Sequence, residues 1–373
     1  MRLVLTGGGT GGHVYPALAL AEAFRLEAAF APLDVLFVGT RDRMEARIVP
    51  QAGVPIAFVH AAPLARKLSF GLIGTLAANA YGFVQALTVL HRARPDVLIA
   101  TGGYVALPVV AALRLVRLFG RTRAKIALLE PNARGGLTNR LLAPLADEVW
   151  YGVAPPARAL TRGEHVVGTP VRAALRRRVA AGAARESFGL ASALTTVVVI
   201  GGSQGAHSLN EAVAALVLEG LPPGLQILLV TGAREFEHFA GRLAGARDVR
   251  VLPYLDDPGA AYAAADVVVA RAGASTLAEL AATATPAVLV PYPHATGDHQ
   301  THNARAYAAG GAAILVPDAD LNAARLRTVL AEMLAPESRL NMRVAARTLA
   351  ATDPCGAIVA RVKTWSSPNQ VDP

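Results

Sequence analysis

Short apolar runs that end at a glycine or a turn recur along the whole chain, and Ala- and Leu-rich stretches of helical character lie between them. Nine such runs are RLVLT, DVLFVG, DVLIATG, KIALLE, TTVVVIGG, QILLVTG, VRVLPY, DVVVARAG and AVLVPY. Continuous β-branched runs are typical of parallel strands that are buried on both faces. Strands that alternate with helices in this way predict a doubly wound, parallel α/β sheet.

Two of these runs share a longer pattern of strand, glycine-rich turn, histidine and helix. They are LVLTGGGTGGH at residues 3–13 and VVVIGGSQGAH at residues 197–207. Each is typical of the first βα turn of its own Rossmann-like domain, and a chain of 373 residues has room for two. We therefore predict domains at 1–163 and 164–340. Residues 341–373 are expected to form a C-terminal helix that packs back toward the first domain, followed by a frayed tail.

The charge of the chain is unevenly distributed. The net charge is +9, and residues 1–165 hold 18 Lys and Arg against 10 Asp and Glu, whereas the remainder is nearly balanced. An excess of this kind indicates an anionic partner for the first half. Aromatic residues are only 5% of the chain and no aromatic-plus-basic pattern is present, which favours an anionic membrane surface over nucleic acid. The alternative is a soluble surface that is merely rich in arginine.

Residues 68–90 form an uncharged stretch that is long enough to cross a bilayer. Its glycines and polar residues, and the strands predicted on both sides, argue against a spanning helix. Basic residues flank it: Arg66 and Lys67 before, and His91, Arg92 and Arg94 after. Two interpretations stay open, namely a surface helix with one face in a membrane interface and a buried core helix.

The glycine turns at 7–12 and 201–205 are candidate cradles for a phosphate or a sugar. Glycine lets a ligand approach the backbone closely, and the helix that follows offers free N–H groups and a positive dipole end. The first turn formally contains G-x-G-x-x-G, but DVLFVGTRD lacks an acid at the strand end that would bind a ribose. His13 would lie in the first helical turn as a neutral base, or alternatively as a packing or capping residue.

Six ordered motifs cover nearly the whole chain and together resemble those of the MurG-type glycosyltransferases. They are TGGGTGGHVYPALALA, TGGYVALP, GTPVR, GGSQGAHSLN, RAGASTLAEL and PYPHATGDHQTHNA. The resemblance implies a GT-B fold, in which two Rossmann-like domains face a central cleft. It implies an inverting transfer of GlcNAc from UDP-GlcNAc to the C4 hydroxyl of MurNAc in undecaprenyl-pyrophosphoryl-MurNAc-pentapeptide, lipid I, to give lipid II. It also implies a peripheral protein on the cytoplasmic face of the bacterial inner membrane, with no metal and no other cofactor.

The same resemblance implies roles for individual residues. His13 would be the general base, and Tyr104 and Glu130 would be alternative or assisting groups near the acceptor. Glu279 would bind the ribose hydroxyls, and Arg172 the diphosphate. The full set of implied donor contacts is Thr10, Gly11, Gly12, Asn132, Arg172, Ser203, Leu255, Ala274, Ser275, Thr276, Leu277, Ala278, Glu279 and Gln300.

One motif departs from the family pattern. Where the family often shows His-Glu-Gln-Asn, this chain has Leu129, Glu130, Pro131 and Asn132, so any role of the missing histidine is in doubt. Other readings remain: a GT-B enzyme acting on another glycolipid or small molecule, a dinucleotide-dependent oxidoreductase, or a nucleotide-binding module.

Two further patterns suggest metals. Asp318-Ala319-Asp320 has the D-x-D arrangement of metal-dependent transferases, but we predict that Asp320 instead caps the helix after it. His294, Asp298, His299 and His302 lie close together in sequence, and two of these histidines have the spacing of zinc ligands on a helix. We favour no metal, because the same run matches the sugar-binding loop of the family.

Overall fold

The structure is a computed structural model that describes residues 1–63, 71–155, 160–177, 179–202, 205–255, 257–350 and 353–366. The chain divides into two compact units, Met1–Arg172 with Ala351–Pro373 and Ala173–Ala350. The domain limits given above, at residues 163 and 340, stay predictions. Ser203, the Arg66–Lys67 pair and the end of the chain from residue 367 lie outside the described residues.

The first unit is built on a parallel sheet of seven strands in the order β3-β2-β1-β4-β5-β6-β7. The strands are β1 (Arg2–Thr6), β2 (Asp34–Gly39), β3 (Ile56–Phe58), β4 (Val97–Ala100), β5 (Lys125–Glu130), β6 (Glu148–Tyr151) and β7 (Glu164–Val166). The helices between them are α1 (Gly11–Leu26), α2 (Glu45–Gln51), α3 (Gly71–Ala93), α4 (Ala106–Leu118) and α5 (Leu137–Leu142). The strand order reverses between the neighbours β1 and β4, which is where ligands bind in open α/β sheets.

The second unit repeats this plan with six parallel strands in the order β10-β9-β8-β11-β12-β13. The strands are β8 (Thr195–Ile200), β9 (Leu225–Val230), β10 (Val249–Leu252), β11 (Val267–Ala270), β12 (Ala287–Leu289) and β13 (Ala313–Leu315). The helices are α6 (Ala181–Ser187), α7 (His207–Leu218), α8 (Phe236–Arg242), α9 (Pro258–Ala264), α10 (Ala274–Ala282), α11 (His299–Ala309), α12 (Ala323–Leu334) and α13 (Pro336–Leu349). Two Rossmann-like parallel sheets are therefore confirmed, and here the order reverses between β8 and β11.

The central strands β1, β4 and β5 of the first sheet bury both of their faces, as the continuous apolar runs predict, whereas the edge strands β3 and β7 are only partly buried. Leu3 and Leu5 of β1 belong to one core cluster, with Phe24 of α1, and Val4 belongs to the cluster on the opposite face. All four side chains are at most 1% exposed. Because successive strand residues point to opposite faces, this division follows directly from the pleat of the sheet.

Helix α3 lies on the surface of the first unit with one face buried. Asn79 exchanges hydrogen bonds with the backbone of Ala62, and Gln85 accepts one from the N–H of His60. A Cβ at Gly82 would overlap the carbonyl oxygen of His60, so the helix approaches this segment closely. The opposite face exposes a row of apolar side chains. The interpretation of residues 68–90 as a buried core helix is thus wrong for the part of it that the structure describes.

The last described helix, α14 (Pro354–Ser366), packs on α1 and completes the core of the first unit. Ile358 and Val362 of α14 are fully buried in the same cluster as Phe24. Arg361 donates two hydrogen bonds to Glu148, at 2.6 and 2.8 Å, and the ring of Trp365 stacks on that of Trp150. The chain therefore returns to its first unit after leaving the second.

Candidate active site

Two glycine turns meet at the point where the strand order of the first sheet reverses. One follows β1 and the other, residues 101–104, follows β4. A Cβ at Gly103 would overlap the carbonyl oxygen of Gly8, and a Cβ at Gly7 would overlap Oγ1 of Thr101. Gly103 also has a φ of 82°, which other residues rarely adopt. The two turns therefore pack backbone against backbone, and this requires glycine on both sides.

His13, the third residue of α1, is fixed by the second of these turns. Its Nδ1 lies 2.8 Å from the carbonyl oxygen of Thr101, and Oγ1 of Thr101 donates to the carbonyl oxygen of His13 at 2.7 Å. Because a carbonyl oxygen only accepts, Nδ1 carries the hydrogen and a neutral ring has its basic lone pair on Nε2. This tautomer suits a general base. The catalytic role of His13 stays a prediction.

The start of α1 keeps its backbone donors available. Thr10 is the N-cap residue of α1 and is exposed; among the described residues, its side chain makes no capping hydrogen bond. Gly11 and Gly12 form the first turn and are half-buried. An uncapped helix start of this kind offers N–H groups to an anion. It is consistent with the donor contacts predicted at these three residues, which stay predictions.

Tyr104 lies beside the first glycine turn. Its ring would be 3.0 Å from a Cβ at Gly9, so the aromatic ring covers the turn directly. The contact with Tyr104, followed by the charge of Asp42, raises the pKa of Arg43 above its usual value. Tyr104 thus joins the glycine turn to a cation. Its role near the acceptor stays a prediction.

Glu130, at the end of β5, is buried and organises the loop that follows. It accepts hydrogen bonds from the N–H and the side-chain amide of Asn132, both at 3.0 Å. It also accepts from the N–H of Gly136 and the amide of Asn139, both at 2.9 Å. These four bonds make Glu130 the centre of the loop and give Asn132 a fixed position. An assisting catalytic role for Glu130 and the donor contact of Asn132 stay predictions.

Arg172 lies against α1 at the end of the first unit. Its guanidinium carbon is 4.7 Å from the centroid of the Tyr15 ring, within the range of a cation–π interaction. Its Nε is buried and has no hydrogen-bond partner among the described residues. The side chain is therefore oriented by an aromatic ring and keeps part of its donor set for a ligand. This suits the diphosphate contact predicted for Arg172.

The second unit presents two further uncapped helix starts where its strand order reverses. Helix α7 begins after Ala206 and α10 after Gly273, and neither N-cap residue supplies a side-chain hydrogen bond within the described chain. By contrast, Asp257 caps α9 and Asn322 caps α12. Among the described residues, helices α6, α8, α11 and α13 also begin without a side-chain cap, so what distinguishes α7 and α10 is their place at the reversal point. Ser203, predicted to contact the donor in the turn before α7, lies outside the described residues.

Glu279 is oriented by a buried tyrosine. The Tyr262 hydroxyl donates to Oε2 of Glu279 at 2.8 Å. Burial first, and the Glu279 carboxylate second, raise the pKa of Tyr262 well above its usual value, so the phenol remains a donor. Glu279 lies on α10, where the predicted contacts Ala274, Ser275, Thr276, Leu277 and Ala278 form the preceding turns. The structure therefore gathers this predicted group on one helix.

The remaining donor residues lie on other loops of the second unit. Leu255 is buried shortly after β10, at the edge of the sheet. Gln300 is half-buried at the start of α11, and its Oε1 accepts from the N–H of Tyr292 at 2.9 Å. Both assignments stay predictions.

The first acid of the D-x-D pattern belongs to an ion pair. Oδ1 of Asp318 lies 2.5 Å from Nη1 of Arg271 and accepts from the Ser208 hydroxyl at 2.6 Å. Sequence reasoning missed this network, although Arg271 opens one of the quoted motifs. The capping prediction for Asp320 is wrong, because Asn322 is the residue that accepts from the N–H of Arg325. The described residues contain no group of three or more possible metal ligands.

Comparisons with known proteins agree with this architecture. The N-terminal domain of glycosyltransferase family 28 matches residues 3–151, and the C-terminal domain of that family matches residues 196–353. A crystal structure of MurG from Acinetobacter baumannii aligns with a TM-score of 0.75 and 28% identity, covering 97% of this chain and 99% of that one. The predicted GT-B fold class, with two parallel-sheet domains, is confirmed.

Curated relatives extend over nearly the whole chain. The UDP-N-acetylglucosamine--N-acetylmuramyl-(pentapeptide) pyrophosphoryl-undecaprenol N-acetylglucosamine transferase of Salinibacter ruber is 40% identical, covering 97% of this chain and 96% of the relative. The protein of the same name from Halothermothrix orenii is 38% identical, covering 91% and 92%. This chain therefore belongs to the MurG-type members of glycosyltransferase family 28.

Proposed function

We propose that this protein transfers GlcNAc from UDP-GlcNAc to the C4 hydroxyl of MurNAc in undecaprenyl-linked lipid I, which gives the peptidoglycan precursor lipid II. The observation that carries the proposal is the near full-length similarity to relatives named for this reaction, at 36–40% identity. Membership of family 28 makes the chain a hexosyltransferase, so the oxidoreductase alternative is wrong.

The reaction has three physical requirements that residues of this chain fit. The acceptor hydroxyl must lose its proton, and Nε2 of His13 is the basic position in the tautomer set by Thr101. As the hydroxyl oxygen bonds to the anomeric carbon, the bond from that carbon to the diphosphate breaks and UDP leaves from the opposite face. Arg172 and the uncapped helix starts would offset the charge that builds on the diphosphate. The ribose diol would bind Glu279.

The test of this function is direct. The protein is incubated with labelled UDP-GlcNAc and a lipid I analogue, and the products are separated by mass. We expect a disaccharide-bearing lipid that forms only when both substrates are present. Hydrolysis of UDP-GlcNAc without a disaccharide would contradict the proposal. Preferential transfer to an unrelated glycolipid in a competition assay would favour a different GT-B transferase.

For localisation, we propose a peripheral position on the anionic, cytoplasmic face of the inner membrane, held by α3. Ile73, Leu76, Tyr81 and Val84 on its outer face are between 54% and 70% exposed, a large apolar area for a soluble surface. His91 and Arg92 follow at its end and are exposed. Helix α3 is also the one helix of the described residues that is long and apolar enough to cross a membrane. The hydrogen bonds that Asn79 and Gln85 make to the segment before the helix support a surface position instead.

Vesicle binding tests this placement. The double variant I73E/V84E should lose most of its co-sedimentation with vesicles of phosphatidylglycerol, because two charges on the apolar face disfavour insertion. The matched control is L340E/V344E on α13 of the second unit, where both side chains are also exposed. The control should sediment like the parent protein. Equal loss in both variants, equal binding to zwitterionic vesicles, or displacement by DNA oligonucleotides would contradict the proposal.

A further inference from the structure

A buried carboxylate lies directly behind the first glycine turn. Glu45, the first residue of α2, is 0% exposed. Its Oε1 accepts from the N–H of Thr40 at 3.3 Å and from the Thr40 hydroxyl at 2.7 Å. Its Oε2 accepts from the N–H of Gly9 at 3.2 Å. An acid buried this deeply is held by three donors, because an unpaired carboxylate in an apolar interior is strongly unfavourable.

The backbone packs closely against the side chain of Glu45 at two glycines, Gly8 and Gly39. A Cβ at Gly8 would overlap Oε1 of Glu45, and a Cβ at Gly39 would lie 2.9 Å from its Cγ. Gly39 ends β2 and Gly8 lies in the turn after β1, so the carboxylate joins the ends of two neighbouring strands. Glycine at these two positions makes room for the acid, which gives the spacing of the glycines a local physical reason.

The hydrogen bond to Glu45 also occupies one backbone donor of the glycine turn after β1. The N–H of Gly9 is bonded to Glu45, and Gly9 has a φ of 84°. The next residues are the exposed N-cap Thr10 and the two glycines that open α1. Since His13 follows one helical turn later, a displacement of Gly9 moves the helix start and the imidazole together.

We propose that Glu45 is a positioning residue for the transfer reaction, which holds the glycine turn and through it the start of α1 and His13. This inference rests on the proposed function for the reaction it serves. Glu45 touches no substrate and gains or loses no proton in the reaction. A misplacement of about 1 Å is enough to slow an enzymatic reaction about 100-fold.

The variant E45Q tests the proposal with almost no change of volume. Its amide nitrogen cannot accept a hydrogen bond, so either Gly9 or Thr40 loses its partner. We expect kcat to fall between about 10-fold and 100-fold. We also expect the imidazole signals of His13 in ¹⁵N-histidine NMR spectra to shift, with a change in the pH profile of kcat. Loss of stability alone would alter neither of these two readouts.

The matched control is E148Q. Glu148 lies in the same unit, has a side chain only 12% exposed, and likewise accepts three hydrogen bonds, one from Trp150 and two from Arg361. Glu148 is the first residue of β6, so it lies at the amino ends of the parallel strands, whereas the glycine turns follow the carboxyl ends of β1 and β4. E148Q should lower Tm while kcat stays within twofold and the His13 signals stay in place.

Three outcomes would overturn the proposal: E45Q with kcat within twofold of the parent protein, unmoved His13 signals, or an equal loss of kcat in E148Q. If E45Q does not fold, the variant E45D replaces it. Its side chain keeps two acceptor oxygens but is one methylene shorter, so the oxygens lie farther from Gly9 and Thr40. The kcat value and the His13 signals of E45D then test the proposal. The NMR measurement needs no turnover. Absence of disaccharide in the parent protein would therefore refute the proposed function while the NMR arm still tests Glu45.

Discussion

The two glycine turns have the same pattern of sequence, yet their histidines have different surroundings. Nδ1 of His13 bonds to the backbone of Thr101 from a half-buried position. His207, at the equivalent place in the second unit, has a side chain 68% exposed, and its Nδ1 is 2.7 Å from the carboxylate of Glu235. The carbonyl of Thr101 fixes which ring nitrogen of His13 carries the hydrogen, whereas the carboxylate of Glu235 makes His207 part of a surface pair. A shared motif therefore defines a fold position, and the partner of the histidine defines its chemistry.

The largest expected effect separates these two histidines. H13A should lower kcat at least 100-fold, the range of general-base catalysis. H207A should change kcat less than threefold, because that ring is exposed and paired with a surface acid. Steady-state transfer to a lipid I analogue measures both. Near-normal turnover of H13A would remove His13 from the mechanism, and a large loss in H207A would break the distinction between the turns.

A second comparison tests the close contacts of the two turns. G103A pushes against the turn after β1, and a Cβ at Gly205, in the turn before α7, would overlap the carbonyl oxygen of Thr231. Both positions have positive φ, so each substitution also strains the backbone. We expect G103A to lower kcat about 30-fold, and G205A to weaken UDP binding by a similar factor, from roughly 2 kcal/mol of strain.

Calorimetry with UDP and transfer kinetics distinguish these effects. The control is G220A: this glycine also has positive φ, but its Cβ would meet no atom within 4 Å. It should lose stability without either functional change. If G103A weakens UDP binding as strongly as G205A, the assignment of separate roles to the two turns is incorrect.

The third comparison is within the second unit and concerns the orientation of Glu279. E279Q should raise KM for UDP-GlcNAc about 10-fold, because a charged acceptor of the ribose hydroxyls becomes a neutral one. Y262F removes only the hydrogen bond that orients this carboxylate, so we expect about a threefold increase. Unchanged KM in both variants would argue against Glu279 as the ribose ligand. An effect of Y262F larger than that of E279Q would indicate that the tyrosine acts on the fold instead.

The sequence was sufficient to predict most of the fold. Every apolar run quoted above contains a strand of one of the two sheets, because continuous β-branched stretches have few other structures open to them. The strands β3, β6, β7 and β13 are only three or four residues long and were not among those runs. Strands of this length carry little periodicity of their own, and the four others that are as short, β4, β10, β11 and β12, were predicted from the longer apolar runs that contain them. The misplaced cap of α12 has a similar reason, since Asp320 and Asn322 are both good capping residues two positions apart.

Less of the site could be predicted, because its decisive contacts join residues that are distant in the chain. His13 and Thr101 are 88 positions apart, and no local pattern connects them. Glu45 lies in RDRMEAR, a stretch whose charges indicate a solvated surface, and only the tertiary structure shows that it is buried. By contrast, the bonds of Glu130 are local, and the sequence LEPNARGG already contains three of their four donors.

The smallest expected effect comes from a third histidine, whose partner is a cation. Burial and the charge of Arg361 lower the pKa of His165, although Glu148 acts in the opposite direction. The unfolded chain therefore binds this proton more readily, and the free energy of unfolding should fall as the pH drops through about 6.5. Because the ring is about one-third exposed, solvent screening limits the effect to a few tenths of a kcal/mol. H165Q should flatten the dependence of urea unfolding on pH between about 7.5 and 5.5, a window above the titration of Glu148. An unchanged slope would show that Arg361 does not determine the charge of this histidine in the way that Thr101 fixes the tautomer of His13.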